Sequence, residues 1–195
     1  MRYSARGIVV ATLFALACGS ADARPRFYME IRGVKEPANT KPSIKAKALT
    51  YLQQELEKHA EVVTKLGDPP PQGEDLQREL KARRLQGYNL VLRVTKASHS
   101  LNPPAKGKVY RVLMVEVAVA IDADKIPSSQ MALAGEGNAQ VGTEVSRYKE
   151  KERVQLTHEA LLEAIRQAVD KSVAKLSGGG KSKKSKKRRS RRKRP

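Results

Sequence analysis

The chain contains very little cysteine and few aromatic residues. Its 195 residues include one Cys, no Trp and two Phe. A single cysteine excludes an intramolecular disulfide and the multi-cysteine sites that bind zinc. The aromatic side chains are too few to form a series of stacking platforms for single-stranded bases. We therefore expect neither a disulfide-stabilised scaffold nor a base-stacking surface.

Acidic residues are scarce as well, with 20 Asp and Glu against 39 Lys and Arg and a formal net charge of +19. The excess is uneven, because residues 181–195 contain 11 bases and no acid, whereas residues 24–180 contain 26 bases and 19 acids. Such a charge favours anionic partners such as nucleic acid, acidic lipid or phosphorylated polysaccharide.

Residues 1–23 have the three parts of an export signal. Arg2 and Arg6 form a positive segment, residues 7–17 are apolar, and Ala21-Asp22-Ala23 is a small-x-small cleavage site before Arg24. An uncleaved anchor helix and a buried N-terminal helix are the alternatives. The pattern predicts an exported protein, periplasmic or extracellular.

Cys18 indicates a second way for the chain to be attached to the cell envelope. The sequence Ala15-Leu16-Ala17-Cys18-Gly19 resembles the lipobox of bacterial lipoproteins, in which the cysteine is lipidated and becomes the new N-terminus. Lipidation would make the chain a membrane-anchored lipoprotein. Cleavage before Arg24 would instead remove Cys18 with the signal.

The stretch from Val109 to Ile121 alternates strictly between a large apolar face and a smaller, partly Ala-lined face. Period two with many β-branched residues predicts a strand. We expect it to be the central strand of a sheet with helices on one side, packed closely against the Ala-lined face. The residues expected to be buried are Val109, Leu113, Val115, Val117, Val119 and Ile121.

The remaining pattern predicts a mixed α/β (α+β) fold, a four- to five-stranded sheet covered by about three helices, in a binding domain over residues 24–177. Ser43 and Thr157 are the expected N-caps of the first and last helices, and Gly87 the stop of the second. Residues 98–108 are expected to form a flexible loop. Further strands are predicted at 27–33, 61–66, 88–95 and 130–141, with a bulge or twisted edge at Gly135 and Gly137, and helices at 43–59, 74–86 and from about 157.

No motif predicts catalysis, a cofactor or a metal. His59, His99 and His158 lack metal-ligand spacing, and Asp122 and Asp124 are typical of turn acids rather than cation ligands. Gly135 and Gly137 begin a GxGxxG pattern that Gln140 interrupts. Four bases of the second helix predict a solvated helix face rather than a binding patch: Arg78, Lys81, Arg83 and Arg84.

Residues 178–195 form a Lys/Arg-rich tail that we expect to be disordered, since like charges repel and no apolar side chain but the terminal proline is present. Binding to a polyanion would be salt-dependent and poorly sequence-specific. A merely solubilising extension is the alternative. The candidate polyanion-binding residues are Lys181, Lys183, Lys184, Lys186, Lys187, Arg188, Arg189, Arg191, Arg192, Lys193 and Arg194.

The segment from Leu85 to Val94 (LQGYNLVLRV), with the Ala-rich C-terminal helix, resembles the small α/β domain of bacterial envelope accessory lipoproteins such as LpoB and CsgG. Asn89 stands where that family often has Asp. The resemblance covers about residues 26–177 and implies an accessory or adaptor role without an active site.

Three functional hypotheses follow. The first is an exported, non-enzymatic adaptor of the bacterial cell envelope, whose tail binds an anionic polymer or lipid headgroups while the folded domain contacts a protein partner. The second is a nucleic-acid-binding protein that uses the tail. A hydrolytic enzyme is the third and least favoured.

Overall fold

The computed structural model describes residues 26–38, 43–104, 106–107 and 109–178. The predicted export signal, Cys18, the predicted cleavage site before Arg24 and the tail bases lie outside these residues. The predicted mixed α/β fold is confirmed. In chain order the elements are β1 (Arg26–Lys35), α1 (Lys45–Glu57), β2 (Val62–Val63), α2 (Gly73–Ala82), β3 (Leu85–Asn102), β4 (Arg111–Lys125), β5 (Gln130–Val145) and α3 (Glu150–Leu176).

The five strands form one sheet in the order β2-β1-β3-β4-β5. β1 runs parallel to β2 and β3, and the β3–β4 and β4–β5 pairs are antiparallel. The strand predicted to be central is β4, which lies beside the edge strand β5, so the central position belongs to β3. The predicted burial of β4 is confirmed from Leu113 to Ile121, but Val109 precedes the strand and is 84% exposed.

The loop predicted at residues 98–108 is wrong for its first five residues. β3 continues through them to Asn102, pairing Ser98 with Glu116 and Asn102 with Val112. Cross-strand hydrogen bonds to the long strand β4 hold this polar segment extended, although its composition is typical of a loop.

The main core lies between the sheet and helices α1 and α3. Each helix contributes an apolar stripe at helical spacing, so burial follows the period predicted from sequence. Leu49 and Leu162 are exceptions, with 43% and 36% of their surfaces exposed. The buried helix residues include Ile44, Ala48, Leu52, Leu56, Leu161, Ile165, Ala168 and Val169.

Helix α3 approaches the sheet closely at glycines, not at the Ala-lined face of β4. A β-carbon on Gly135 would lie 1.9 Å from Ser172 Oγ, and one on Gly137 would lie 1.8 Å from the Ala164 carbonyl oxygen. The predicted bulge at these glycines is misplaced, because the irregularity in the β4–β5 pairing opposes Ala123 and Asp124. Gly135 and Gly137 lie on the edge strand β5, so their predicted position on an edge is confirmed.

Helix α2 packs on the opposite face of the sheet, so the expectation of helices on one side is wrong. It ends at Ala82, four residues before the predicted end. Arg84, with φ of 54°, turns the chain directly into β3. Gly87 therefore lies within β3, where a β-carbon would come within 2.7 Å of Leu80 Cδ1. The second cluster comprises Tyr28, Leu66, Leu76, Leu80 and Leu85.

Neither predicted N-cap residue occupies the cap position of its helix, although the Ser43 hydroxyl accepts a hydrogen bond from the Lys45 amide (3.4 Å). Ile44 occupies the cap position of α1, and Glu36 accepts hydrogen bonds from the Ser43 hydroxyl (2.6 Å) and the Ile44 amide (3.1 Å). Helix α3 begins at Glu150, so Thr157 lies inside it and donates its hydroxyl to the Arg153 carbonyl (2.8 Å). Helix α3 thus begins earlier than its predicted cap residue. At the start of α1, the carboxylate of Glu36 accepts the hydrogen bond from the Ile44 amide.

The two ends of the sheet differ, and we name them by what lies there. The termini end is where β1 and β3 begin at Arg26 and Leu85 and β4 ends at Lys125. The hairpin end is where β3 ends, β4 begins and β5 finishes. Helix α3 starts at the hairpin end and runs back, since residues 164 and 172 lie against Gly137 and Gly135 in turn. Twenty-seven helical residues span about 40 Å.

Candidate functional site

Both ends of the folded domain lie at the termini end. β1 begins there with Arg26, which pairs with Leu85 of β3. Helix α3 finishes there as well, and the contact between His59 Nε2 and Asp170 Oδ1 (3.2 Å) fixes its last turns beside the entry to β2. Gly178, three residues before the first tail base, therefore leaves the domain at the end where the chain enters it.

The termini end carries exposed cations on α2 and β1. Arg78 lies 3.2 Å from Asp75 and 3.5 Å from Glu74, and Arg83 lies 2.5 Å from Glu79. This helix face is exposed, as predicted for a solvated face. Four further cations at this end have no ion pair with the residues that the structure describes: Arg26, Lys81, Arg84 and Lys125.

The outer half of β3, residues 94–102, has a free edge. β1 pairs with β3 only as far as Arg93, and within the described ranges no strand pairs with that side of β3 beyond it. Residues 95–100 are exposed. A free edge presents backbone N–H and C=O groups that an extended peptide can pair with. We name residues 94–102 the free β3 edge.

Sequence reasoning missed the free β3 edge because it assigned this segment to a loop. A weak signal was present, since Ala97, His99 and Leu101 alternate with Ser98 and Ser100. Small and hydroxyl side chains on both faces conceal such an alternation. Only the pairing with β4 identifies the strand.

Ion pairs on the open face of the sheet join β3 to β4. Arg93 binds both carboxylate oxygens of Asp122 (2.5 and 2.9 Å), and Lys96 Nζ lies 2.6 Å from Glu116. The hydrogen bond from Arg93 to Asp122 raises the pKa of the Arg93 guanidinium above its ordinary value. Asp122, predicted to be a turn acid, thus lies within β4, and its ion pair with Arg93 joins β4 to β3. Asp124 also lies within β4, opposite Asn89.

The three histidines lie in separate parts of the fold. His99 is in β3, His59 follows α1, and His158 is half-buried in α3. Burial, with a smaller contribution from Lys47, lowers the pKa of His158. Across residues 26–178, as far as the structure describes them, no group of three His, Cys, Asp or Glu side chains is placed to bind a metal ion.

The described part of the chain has several shallow cavities, of which two are relevant to the sheet edges. One of about 520 Å³ opens beside β1 where β2 stops, and its lining includes Gln53, Thr64 and Pro70. The other, about 300 Å³, lies at the hairpin end between Tyr110 and Arg147. Gly135 and Gly137, which begin the interrupted GxGxxG pattern, lie against α3 and so serve helix packing.

None of the helices within the described ranges is both long and apolar enough to cross a membrane. No family model and no curated protein matches the chain. Several solved structures resemble it distantly, and some of them are named as bacterial lipoproteins.

A minor lipoprotein of Acinetobacter baumannii is 10% identical with a TM-score of 0.44, covering 78% of this chain and 93% of the other. A DUF330 protein of Xanthomonas campestris is 8% identical with a TM-score of 0.47, covering 80% and 89%. A neuraminyllactose-binding hemagglutinin homolog of Helicobacter pylori is 13% identical with a TM-score of 0.42, covering 82% and 84%. Likeness at this level carries no argument about function.

Proposed function

We propose that this chain is an exported, non-enzymatic binding or adaptor protein of the bacterial cell envelope. Its basic tail binds an anionic envelope polymer or lipid headgroups, and its folded domain contacts a protein partner. The observation that carries the proposal is the tail, with 11 bases in residues 181–194 following a folded domain, and residues 1–23 have the pattern of an export signal.

The export pattern decides among the anionic partners. In the cytoplasm a tail of this kind would favour nucleic acid. Outside it, the abundant anions are phosphorylated glycans, acidic polysaccharides and lipid headgroups, all of which bind clustered Lys and Arg mainly by counterion release. The specific resemblance to LpoB and CsgG remains a prediction from the segment 85–94 and the Ala-rich helix.

The free β3 edge is the part of the folded domain best suited to a protein partner. Its residues 95–100 are exposed, it is unpaired on one side within the described part of the chain, and it pairs with β4 on the other side. Strand addition would satisfy its backbone groups without requiring a deep pocket. We therefore assign the protein contact to this edge, at the opposite end of the domain from the tail.

The N-terminal mass of the protein from its own cells tests the export half of the proposal. A chain beginning at Arg24, or a lipidated chain beginning at Cys18, is the expected result. An intact Met1 would overturn the envelope assignment and favour the nucleic-acid alternative.

Site-specific photocrosslinking tests the partner contact. A photoreactive residue at Ser98 or Ser100 should give a discrete crosslinked protein in cells, whereas the same residue at Thr50, on the exposed face of α1, should not. Equal crosslinking from Thr50 would refute the assignment of the partner to the β3 edge.

A further inference from the structure

The described chain enters and leaves the folded domain at the same end, which fixes the point from which the chain continues into the tail. The direction of α3 follows from its contacts, since Ala164 lies against Gly137 and Ser172 against Gly135, nearer the start of β5. The start of β5 pairs with the end of β4, which pairs with the start of β3 beside Arg26. The tail bases thus follow an exit beside the domain's own entry.

Exposed cations without an ion pair to any described residue lie at this same end, among them Arg26, Lys81 and Arg84, with Lys125 at the end of β4. Arg26 is the first residue of β1, Arg84 precedes Leu85, which pairs with Arg26, and Lys81 lies in the last turn of α2. Glu61 and Asp124 are acids at this end, but neither is within ion-pairing distance of these cations. An anionic surface approaching this end would therefore meet the tail and these side chains together.

We propose that the termini end is a docking face for an anionic lipid bilayer, so that the tail and the cations Arg26, Lys81 and Arg84 contact one membrane surface. The inference rests on the proposed function and specifies its anionic partner. A planar bilayer touches the whole end of the domain at once, whereas a flexible polyanion can bind the tail without regard to where the tail leaves. The point at which the chain leaves the folded domain therefore affects binding only when the partner is planar.

The same geometry holds the free β3 edge away from the membrane. The hairpin end lies about 40 Å from the termini end along α3, several times the Debye length of about 10 Å at 0.1 M salt. Cations at the hairpin end therefore add nothing to membrane attraction, and the free β3 edge stays open to a partner.

Two variants of equal charge test the orientation. One replaces the termini-end cations (R26Q, K81Q and R84Q), and the other replaces three exposed cations at the hairpin end (R111Q, R147Q and K151Q). Each is made in the full chain, and binding is measured to vesicles of phosphatidylglycerol and phosphatidylcholine. Thermal unfolding of both variants checks that they fold; should the first not fold, the pair K81Q and R84Q replaces it, with R147Q and K151Q as its control.

The termini-end variant should bind about tenfold more weakly or worse, because each cation at an anionic surface contributes a severalfold gain in affinity. The hairpin-end variant should stay within about twofold of the unaltered chain, since its charges lie beyond the screening distance. Equal weakening by both variants would overturn the orientation while leaving the proposed function intact.

Two further outcomes are informative. If the termini-end variant loses as much affinity for soluble polyphosphate as for vesicles, the partner is a phosphate polymer and the bilayer assignment is wrong. If the unaltered chain binds neither vesicles nor polyphosphate at low salt, the proposed function itself fails.

Discussion

Gly137 faces the Ala164 carbonyl so closely that a β-carbon on the glycine would lie 1.8 Å from that oxygen. The Ala164 carbonyl carbon and the Ala168 amide nitrogen would lie at 2.8 and 3.0 Å. All three atoms are helix backbone, so no rotation of a side chain can make room. The glycine therefore permits the close distance between α3 and β5.

Replacing Gly137 with alanine should destabilise the domain by about 1–3 kcal/mol or more, since overpacking forces the helix away from the strand. Chemical denaturation of the G137A variant measures the loss. The control is G67A, where the added β-carbon would meet only the Pro69 carbonyl oxygen at 3.5 Å, and the expected change is within about 0.5 kcal/mol. Equal stability of the two variants would contradict the close packing of α3 on β5.

Much of the fold could be predicted because its buried elements have strong periodic patterns. In β4 the alternation from Leu113 to Ile121 identifies both the strand and its buried face. In α3 the apolar spacing identifies a long helix, although its first turns, Glu150 to Leu156, are polar enough to conceal the true start. Burial patterns predict where an element packs but not where its polar ends lie.

The free β3 edge could not be predicted because its strand state depends on a partner elsewhere in the chain. Residues 96–102 become a strand through pairing with 112–118, a relationship that local composition does not encode. The close approach at Gly135 and Gly137 is similar, since a glycine pair indicates either a bulge or a close neighbour until the neighbour is known. The exit of the tail at the termini end likewise emerges only from the topology.

Glu36 should stabilise the start of α1, since its carboxylate accepts hydrogen bonds from the Ser43 hydroxyl and the Ile44 amide. The E36A variant should lose about 1 kcal/mol of unfolding free energy, as when a helix-capping acceptor is removed. Chemical denaturation should show a change within about 0.5 kcal/mol for E57A, which removes an exposed carboxylate at the other end of α1. A larger loss from E57A than from E36A would refute the capping role.

His158 should make the domain less stable in mild acid. Burial lowers its pKa in the folded state, so the unfolded chain takes up the proton more readily once the pH falls below the ordinary histidine value of about 6.5. The stabilising effect of the neutral ring is therefore present at neutral pH and is lost as the pH falls.

Unfolding free energies at about pH 7.5 and about pH 5.5 would measure this effect on either side of the ordinary histidine pKa. The unaltered chain should lose more stability over this interval than H158Q, which has no proton to gain. An equal loss in both chains would show that other groups, and not His158, cause the acid sensitivity. The effect of the nearby Lys47 acts through the charge of His158, so it forms part of the difference between the two chains.

The salt dependence of polyanion binding should be a property of the tail. Replacing its five arginines (Arg188, Arg189, Arg191, Arg192 and Arg194) with serine leaves six lysines, so the slope of log affinity against log salt for polyphosphate should fall by nearly half, because fewer counterions are released. A control of equal charge replaces five exposed cations of the folded domain with glutamine and should leave the slope nearly unchanged: Lys45, Lys65, Lys106, Arg147 and Lys151. If the control lowers the slope as much as the tail variant, binding follows the net charge of the whole molecule, and the tail has no special role.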